Sequence, residues 1–450
     1  MKRLIFGISL VLLSLKVTHA RSPVSFEEDS TLPVVRVAIL VRSGAVTDPK
    51  GLEGLTHFLS EMLPRGTRTR SREQLENELD SLGASLAVET RLEASIIRGA
   101  VLSKSLPQFL SILEEILVAP RFSEMEIQKL KKETLSGLLQ EYARDAQIAQ
   151  KRFQKFLFGT HPYGTSIHGT KTSIPRIQRD TLISAHSKWF REGSLEVLAT
   201  GNAKKADFEK FYERFRSLRP KLEATSHSTW TPIPTPPLKR RVLLLDKPDR
   251  TQTQILIGQL GKRFTDPDYF ALHIANQAFG GGNFSARMMK EIRGKRGWSY
   301  GAYSYFRHGL HPRLWWMYSF PASKDTAATL KLSLEMFEDF SKNGITREEY
   351  EFAKTSLIQS SGFSYNTPEK RMENHILESS LDLPSGFMSS FAERLSPVTY
   401  EDVQKAIRGY FRPDRLSILV LGTASELQTS VRDAAKVELN DLRIQSYLEE

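Results

Sequence analysis

Apolar and polar positions along this chain follow two rhythms. The stretches VVRVAILVRSGA (34–45), VLLLD (242–246) and TQTQILIGQL (251–260) are short apolar runs and predict strands. SKSLPQFLSILEEILVAP (103–120) and the long run from Ser123 to Phe158 carry the three-to-four-residue spacing of amphipathic helices. One compound pattern occurs twice. IQRDTLISAHSKWFREGSLEVLATG, ending at Gly201, aligns without a gap on VTYEDVQKAIRGYFRPDRLSILVLG, ending at Gly422. Ile177 then falls on Val398, Trp189 on Tyr410, Phe190 on Phe411 and Arg191 on Arg412. Each copy predicts a helix, a turn and an apolar strand closed by glycine, so the chain reads as a duplication.

Between the copies, residues 220–237 hold five prolines. Proline removes backbone donors and fixes φ, which excludes sheet or helix interior and predicts an extended linker over residues 221–239. The expected architecture is α+β: two duplicated domains, 31–220 and 240–440, each a mainly antiparallel sheet flanked by helices.

Composition narrows the class. A 450-residue chain with 40% hydrophobic and 26% charged residues is expected to be globular. MKR, the apolar run Leu4–Leu15 and Thr18-His19-Ala20 predict a cleaved signal peptide over residues 1–20, the alternative being an N-terminal anchor. No later run is long enough for a stable membrane span. With no cysteine at all, thiolate metal sites, disulfides and cysteine nucleophiles are excluded, and an exported chain without disulfides suits a bacterial periplasm. Loss of Lys2, Arg3 and Lys16 takes the formal charge from +11 to +8. The remaining basic residues are interleaved with acidic ones, the densest cluster being Lys239-Arg240-Arg241, so no nucleic-acid partner is expected.

Candidate chemistry enters at G-L-T-H-F-L-S-E-M-L-P-R-G-T (54–67), His161-Pro162-Tyr163-Gly164 and F-G-G-G-N-F-S-A-R-M-M-K-E-I-R-G-K-R-G-W-S-Y (279–300). Together with the V-A-I-L-V-R-S-G-A strand, these resemble the pitrilysin/insulinase (M16) metallopeptidases over nearly the whole chain after the leader. The resemblance implies a His-x-x-Glu-His helix: histidines at i and i+4 share one face and ligate zinc, the glutamate takes a proton from the metal-bound water, and a later helix supplies a third ligand. Here His57 stands at the first ligand position, Ser60 at the general base and Glu61 at the second histidine. Serine is no base at neutral pH without an activating partner. The third ligand is expected near Gly137 or Leu138, with Glu133 and Glu141 nearby but out of step. His57 is otherwise a satisfied histidine on a helix whose core face is Leu55, Phe58, Leu59, Met62 and Leu63.

In the second half, the resemblance implies that Arg293 and Tyr300 hold the substrate's peptide backbone. Read from residue types alone, Arg293 pairs with a carboxylate and Tyr300 is half-buried. Gly280–Gly282 permit a tight turn or the close approach of a ligand. Trp315 and Trp316 line a cavity or pack under helices, and Glu291 with Lys295 is an exposed i, i+4 pair. A degraded zinc motif beside an intact Arg/Tyr pair resembles the non-zinc-binding subunit of the bacterial two-chain members. That implies no zinc in this chain, a zinc-bearing M16 partner subunit and a peptide substrate. The alternatives are an inactive M16-like scaffold or assembly protein and, further off, a self-sufficient zinc metalloendopeptidase.

Overall fold

The computed structural model describes residues 22–191, 194–219 and 232–449. The proposed leader, 1–20, and residues 221–231 of the proline-rich stretch lie outside the described residues. Two sheets organise the chain. The first is built from β1 (Val24–Glu28), β2 (Val34–Val41), β3 (Ser85–Thr90), β4 (Ser95–Leu102) and β5 (Leu195–Gly201), in the order β1-β5-β2-β4-β3. The second is built from β6 (Arg241–Asp246), β7 (Gln254–Leu260), β8 (Ser299–Arg307), β9 (Leu314–Pro321), β10 (Ser417–Gly422) and β11 (Leu442–Ser446), in the order β11-β6-β10-β7-β9-β8.

Set β1 on β6, β5 on β10, β2 on β7, β4 on β9 and β3 on β8, and the two orders coincide. Both sheets have a corresponding parallel pair, β1–β5 or β6–β10, followed by antiparallel pairs, and β11 adds a second parallel pair on β6. Only β11 is extra. The helices repeat as well. In the first half they are α1 (Leu55–Met62), α2 (Arg72–Ser81), α3 (Leu106–Val118), α4 (Glu124–Glu141), α5 (Asp145–Phe158), α6 (Arg179–Trp189) and α7 (Lys205–Ser217). In the second they are α8 (Tyr269–Asn276), α9 (Thr326–Asn343), α10 (Arg347–Ser361), α11 (Pro368–Ser380), the short α12 (Phe391–Leu395), α13 (Tyr400–Tyr410) and α14 (Ala424–Ala435). A π-helical segment, Met289–Lys295, occupies the place of α2. Phe190 and Phe411 are the buried residues that end α6 and α13, and Gly201 and Gly422 close β5 and β10, as the duplicated pattern requires.

One face of each sheet packs on its own helices. Val35, Val37, Ile39 and Val41 of β2 join Phe58, Leu59 and Met62 of α1 in the first core. Ile255, Ile257, Trp315 and Met317 join Leu334 and Phe337 of α9 in the second. The opposite faces are covered by exchange. Helix α5 of the first half lays Ile148, Ala149, Phe153 and Leu157 on Leu256, Leu419, Leu421 and Trp316 of the second sheet. Its counterpart α11 lays Ile376 on Ala38, Leu40, Ile96 and Leu198 of the first. The long helical pattern from Ser123 to Phe158 is therefore two helices, broken at Tyr142–Arg144 so that each half serves a different sheet.

The two seats differ in chemistry. The α5 seat is mainly apolar, with a single part-buried cluster of Lys247 and Arg250 on Asp145 at its start, whereas the α11 seat is ringed by the pairs Arg36–Glu369, Arg371–Glu27 and Arg98–Glu373. Exposed ion pairs contribute little, while a buried ring removed from a packed seat leaves a cavity. Phe153→Ala should therefore cost about 3–5 kcal/mol and Glu373→Gln less than about 1 kcal/mol, read by urea denaturation. Equal costs would show that the two seats share the work.

Candidate functional site

Helix α1 presents the altered zinc motif. Gly54 takes φ +92° and opens the helix. The Asp48 carboxylate accepts from the backbone N–H groups of Gly54 at 2.7 Å and Thr56 at 2.8 Å, capping the first turn. Leu55, Phe58, Leu59 and Met62 are buried, which aims His57 and Glu61 away from the core on a neighbouring face. The His57 ring lies 4.8 Å from that of His168. Burial, with His168 adding to it, pushes the pKa of His57 down to about 4, so it is a neutral imidazole near neutral pH. Burial pushes Glu61 up from the ordinary carboxylate range, partly offset by Arg65.

These residues do not fit zinc. The Ser60 hydroxyl turns back into the helix and donates to the Thr56 carbonyl at 2.9 Å, so it cannot reach a metal-bound water. Gly137 supplies no ligand atom, and Leu138 belongs to the first core. The two carboxylates left open by the sequence are both engaged. Glu133 accepts from the Arg65 guanidinium at 2.6 Å, the bond that holds its pKa down. Glu141 meets His168 Nδ1 at 3.1 Å and Lys151 at 3.2 Å; burial works against its charge, but these partners hold it below the usual range. Among the described residues, no three His, Asp or Glu side chains converge as a metal site. His168 was not singled out in the sequence; its only signal was a histidine next to a glycine, shortly after His161-Pro162-Tyr163-Gly164.

That His161 motif is structural. Tyr163 is buried and its hydroxyl accepts from the His311 backbone N–H at 3.1 Å, tying the β8–β9 connection to the first half.

The second cluster lies at an edge of the second sheet. Tyr300 is on the edge strand β8 and 71% exposed. Arg293, from the π-helical segment, sits with its guanidinium carbon 4.2 Å from the Tyr300 ring centroid and 4.8 Å from that of Phe284. Phe284 is itself 69% exposed. Two aromatic faces thus hold the cation, an arrangement that orients its donors without consuming them. No carboxylate pairs with Arg293 among the described residues, contrary to the reading from residue types alone. Phe284 was missed; the Gly-Gly-Gly-Asn-Phe run was its signal, but nothing local announced a partner for Arg293.

Gly280 serves neither the turn nor the ligand approach expected of it. A Cβ there would collide with the hydroxyl and backbone nitrogen of Ser304, so glycine lets this segment press against β8. Trp315 and Trp316 are both buried, on opposite faces of β9: Trp315 Nε1 donates to Asn276 at 2.7 Å and Trp316 packs near Phe153. Lys295 and Glu291 form the expected i, i+4 pair at 2.6 Å.

Comparison with known proteins agrees with this picture. The family described as "Insulinase (Peptidase family M16)" matches residues 24–171, and "Peptidase M16 inactive domain" matches residues 176–357. The chain belongs to the M16 peptidase family, with the zinc motif altered at Ser60 and Glu61. It is 24% identical to the non-peptidase homolog YmxG of Helicobacter pylori, covering 93% of this chain and 97% of that protein. It is 25% identical to an uncharacterized zinc protease of Streptomyces coelicolor, covering 89% and 88%. A solved M16 inactive domain from Pseudomonas fluorescens superposes with a TM-score of 0.81 at 25% identity, covering 89% of this chain and 95% of that one.

Two outcomes are expected. Metal analysis of the pure chain should find no stoichiometric zinc, and Ser60→Glu with Glu61→His should not create chelator-sensitive peptide cleavage, because the third ligand is still missing. Chelator-sensitive cleavage by either form would contradict the geometry. The second outcome concerns pH. Unfolded His57 takes up its proton near pH 6.5 and the native residue only near pH 4, so stability is present above that window and lost as pH falls through it. His57→Gln should flatten the fall in unfolding free energy between pH 6.5 and 4.5 by about 1.4 kcal/mol per pH unit at most; an unchanged slope in urea titrations would contradict the burial argument.

Proposed function

We propose that this chain is the non-zinc-binding subunit of an exported, heteromeric M16 peptidase. It encloses a peptide and holds its backbone while hydrolysis takes place at the zinc of a partner subunit. The observation that carries the reading is the Arg293 guanidinium, held between Phe284 and Tyr300 at the surface with no carboxylate on it among the described residues. A planar fork of donors suits peptide carbonyls, and the Tyr300 hydroxyl can donate to a second carbonyl or a developing oxyanion. The charged n-region, the apolar run Leu4–Leu15 and the absence of cysteine support a periplasmic site of action. No helix among the described residues is long and apolar enough to cross a membrane.

The test is co-purification from the native host with a zinc-bearing M16 chain, followed by reconstitution. Arg293→Ala should remove hydrogen bonds worth about 1.5–3 kcal/mol, lowering kcat/KM roughly ten- to a hundredfold at unchanged thermal stability. Tyr300→Phe isolates the hydroxyl from the ring and should cost less. Unchanged cleavage in both variants, with the complex intact, would instead favour the inactive scaffold.

A further inference from the structure

We infer that the pocket beside Arg293 selects peptides in which a carboxylate neighbours an apolar side chain. The inference rests on the peptide-holding role of Arg293 and Tyr300 and adds to it a preference among peptides. Phe284, Met289, Lys290, Arg293, Gly294 and Lys295 line a shallow cavity of about 310 Å³, at the small end of ligand-sized pockets. Its floor is apolar: Met289 is buried, while Phe284 offers a largely exposed ring. Exposed aromatic surface on a pocket wall is free to cover an incoming apolar side chain.

The rim is cationic and poorly neutralised. Between Met289 and Arg296 there are four basic residues and one acid. That acid, Glu291, is taken by Lys295 at 2.6 Å and Arg296 at 2.8 Å. Lys290 and Arg293 have no carboxylate partner among the described residues, and both line the pocket. Arg293 is clamped by its rings and suited to a fixed acceptor; Lys290 is a compact charge on a flexible stem, suited to an anion whose position varies. The complementary ligand therefore carries negative charge within a few ångströms of an apolar group. An acidic side chain and a terminal carboxylate offer the same chemistry.

The experiment uses the full chain and short fluorescein-labelled, C-terminally amidated peptides differing only in a central Leu-Glu, Leu-Gln or Leu-Lys pair, with anisotropy as the readout. The Glu peptide should bind about tenfold tighter than the Gln peptide, as one charge-assisted contact provides. The Lys peptide should bind most weakly, and the gap should narrow with added salt. Lys290→Glu should reverse the Glu–Lys order, and Phe284→Ala should weaken all three. A free-acid Gln peptide that binds as tightly as the Glu peptide would show that a terminal carboxylate is accepted too. Equal binding of the three by the native chain, or an order unchanged by Lys290→Glu, would overturn the inference and leave the peptide-holding role standing. Absence of binding by every peptide would overturn the inference, while the peptide-holding role is decided separately by cleavage in the reconstituted complex.

Discussion

Each sheet in this protein has two apolar faces and only one set of helices from its own half to cover them, so the second face must be covered from the other half. That constraint organises the molecule. Helix α5 crosses to the second sheet and α11 to the first, and the apolar residues on the crossing faces are buried only when both exchanges are made. Burial is favoured in proportion to apolar area removed from water, so neither half is complete alone. It also explains why VLLLD and QILIGQL are nearly continuous apolar runs: Val242 and Leu244 face one core, Leu243 and Leu245 the other.

Packing within the first half also holds the altered motif in place. Helix α1 is held by its Asp48 cap and four core side chains, none of which depends on a metal. The polar residues at and near the motif have internal partners. Ser60 bonds back into its own helix, Glu133 takes Arg65, and Glu141 takes His168 and Lys151. A fold whose stability comes from sheet and helix packing needs no ligand set there; the part-buried His57 sits as a neutral ring beside His168.

The Arg293–Tyr300 pair obeys the opposite logic. It has no core to serve. Arg293 belongs to a segment of π-helical hydrogen bonding, and Tyr300 to the outermost strand of the sheet, brought together because Gly280 lets the preceding segment press onto β8. π-helical turns are uncommon and collect at functional sites. Two large aromatic rings remain in solvent with a cation between them, an arrangement that gains little from folding and is suited to a ligand.

The α+β class, the duplication, the registers of α6 on α13 and β5 on β10, and the altered zinc motif were all legible in the sequence, because these depend on local periodicity and on which atoms a side chain carries. His57, Ser60 and Glu61 could be judged from chemistry alone: no fold turns a serine hydroxyl into a carboxylate. The sequence also indicated the Glu291–Lys295 pair, since helical spacing is a local property. The tertiary structure alone decided where the helical run from Ser123 to Phe158 breaks and which sheet each piece covers, for the spacing of apolar residues does not say what they pack against. It alone decided that Gly280 serves packing against Ser304, that Glu133 answers to Arg65, and that Phe284 joins Tyr300 around Arg293. Those are encounters between segments separated along the chain, and only the folding of each half brings them within reach.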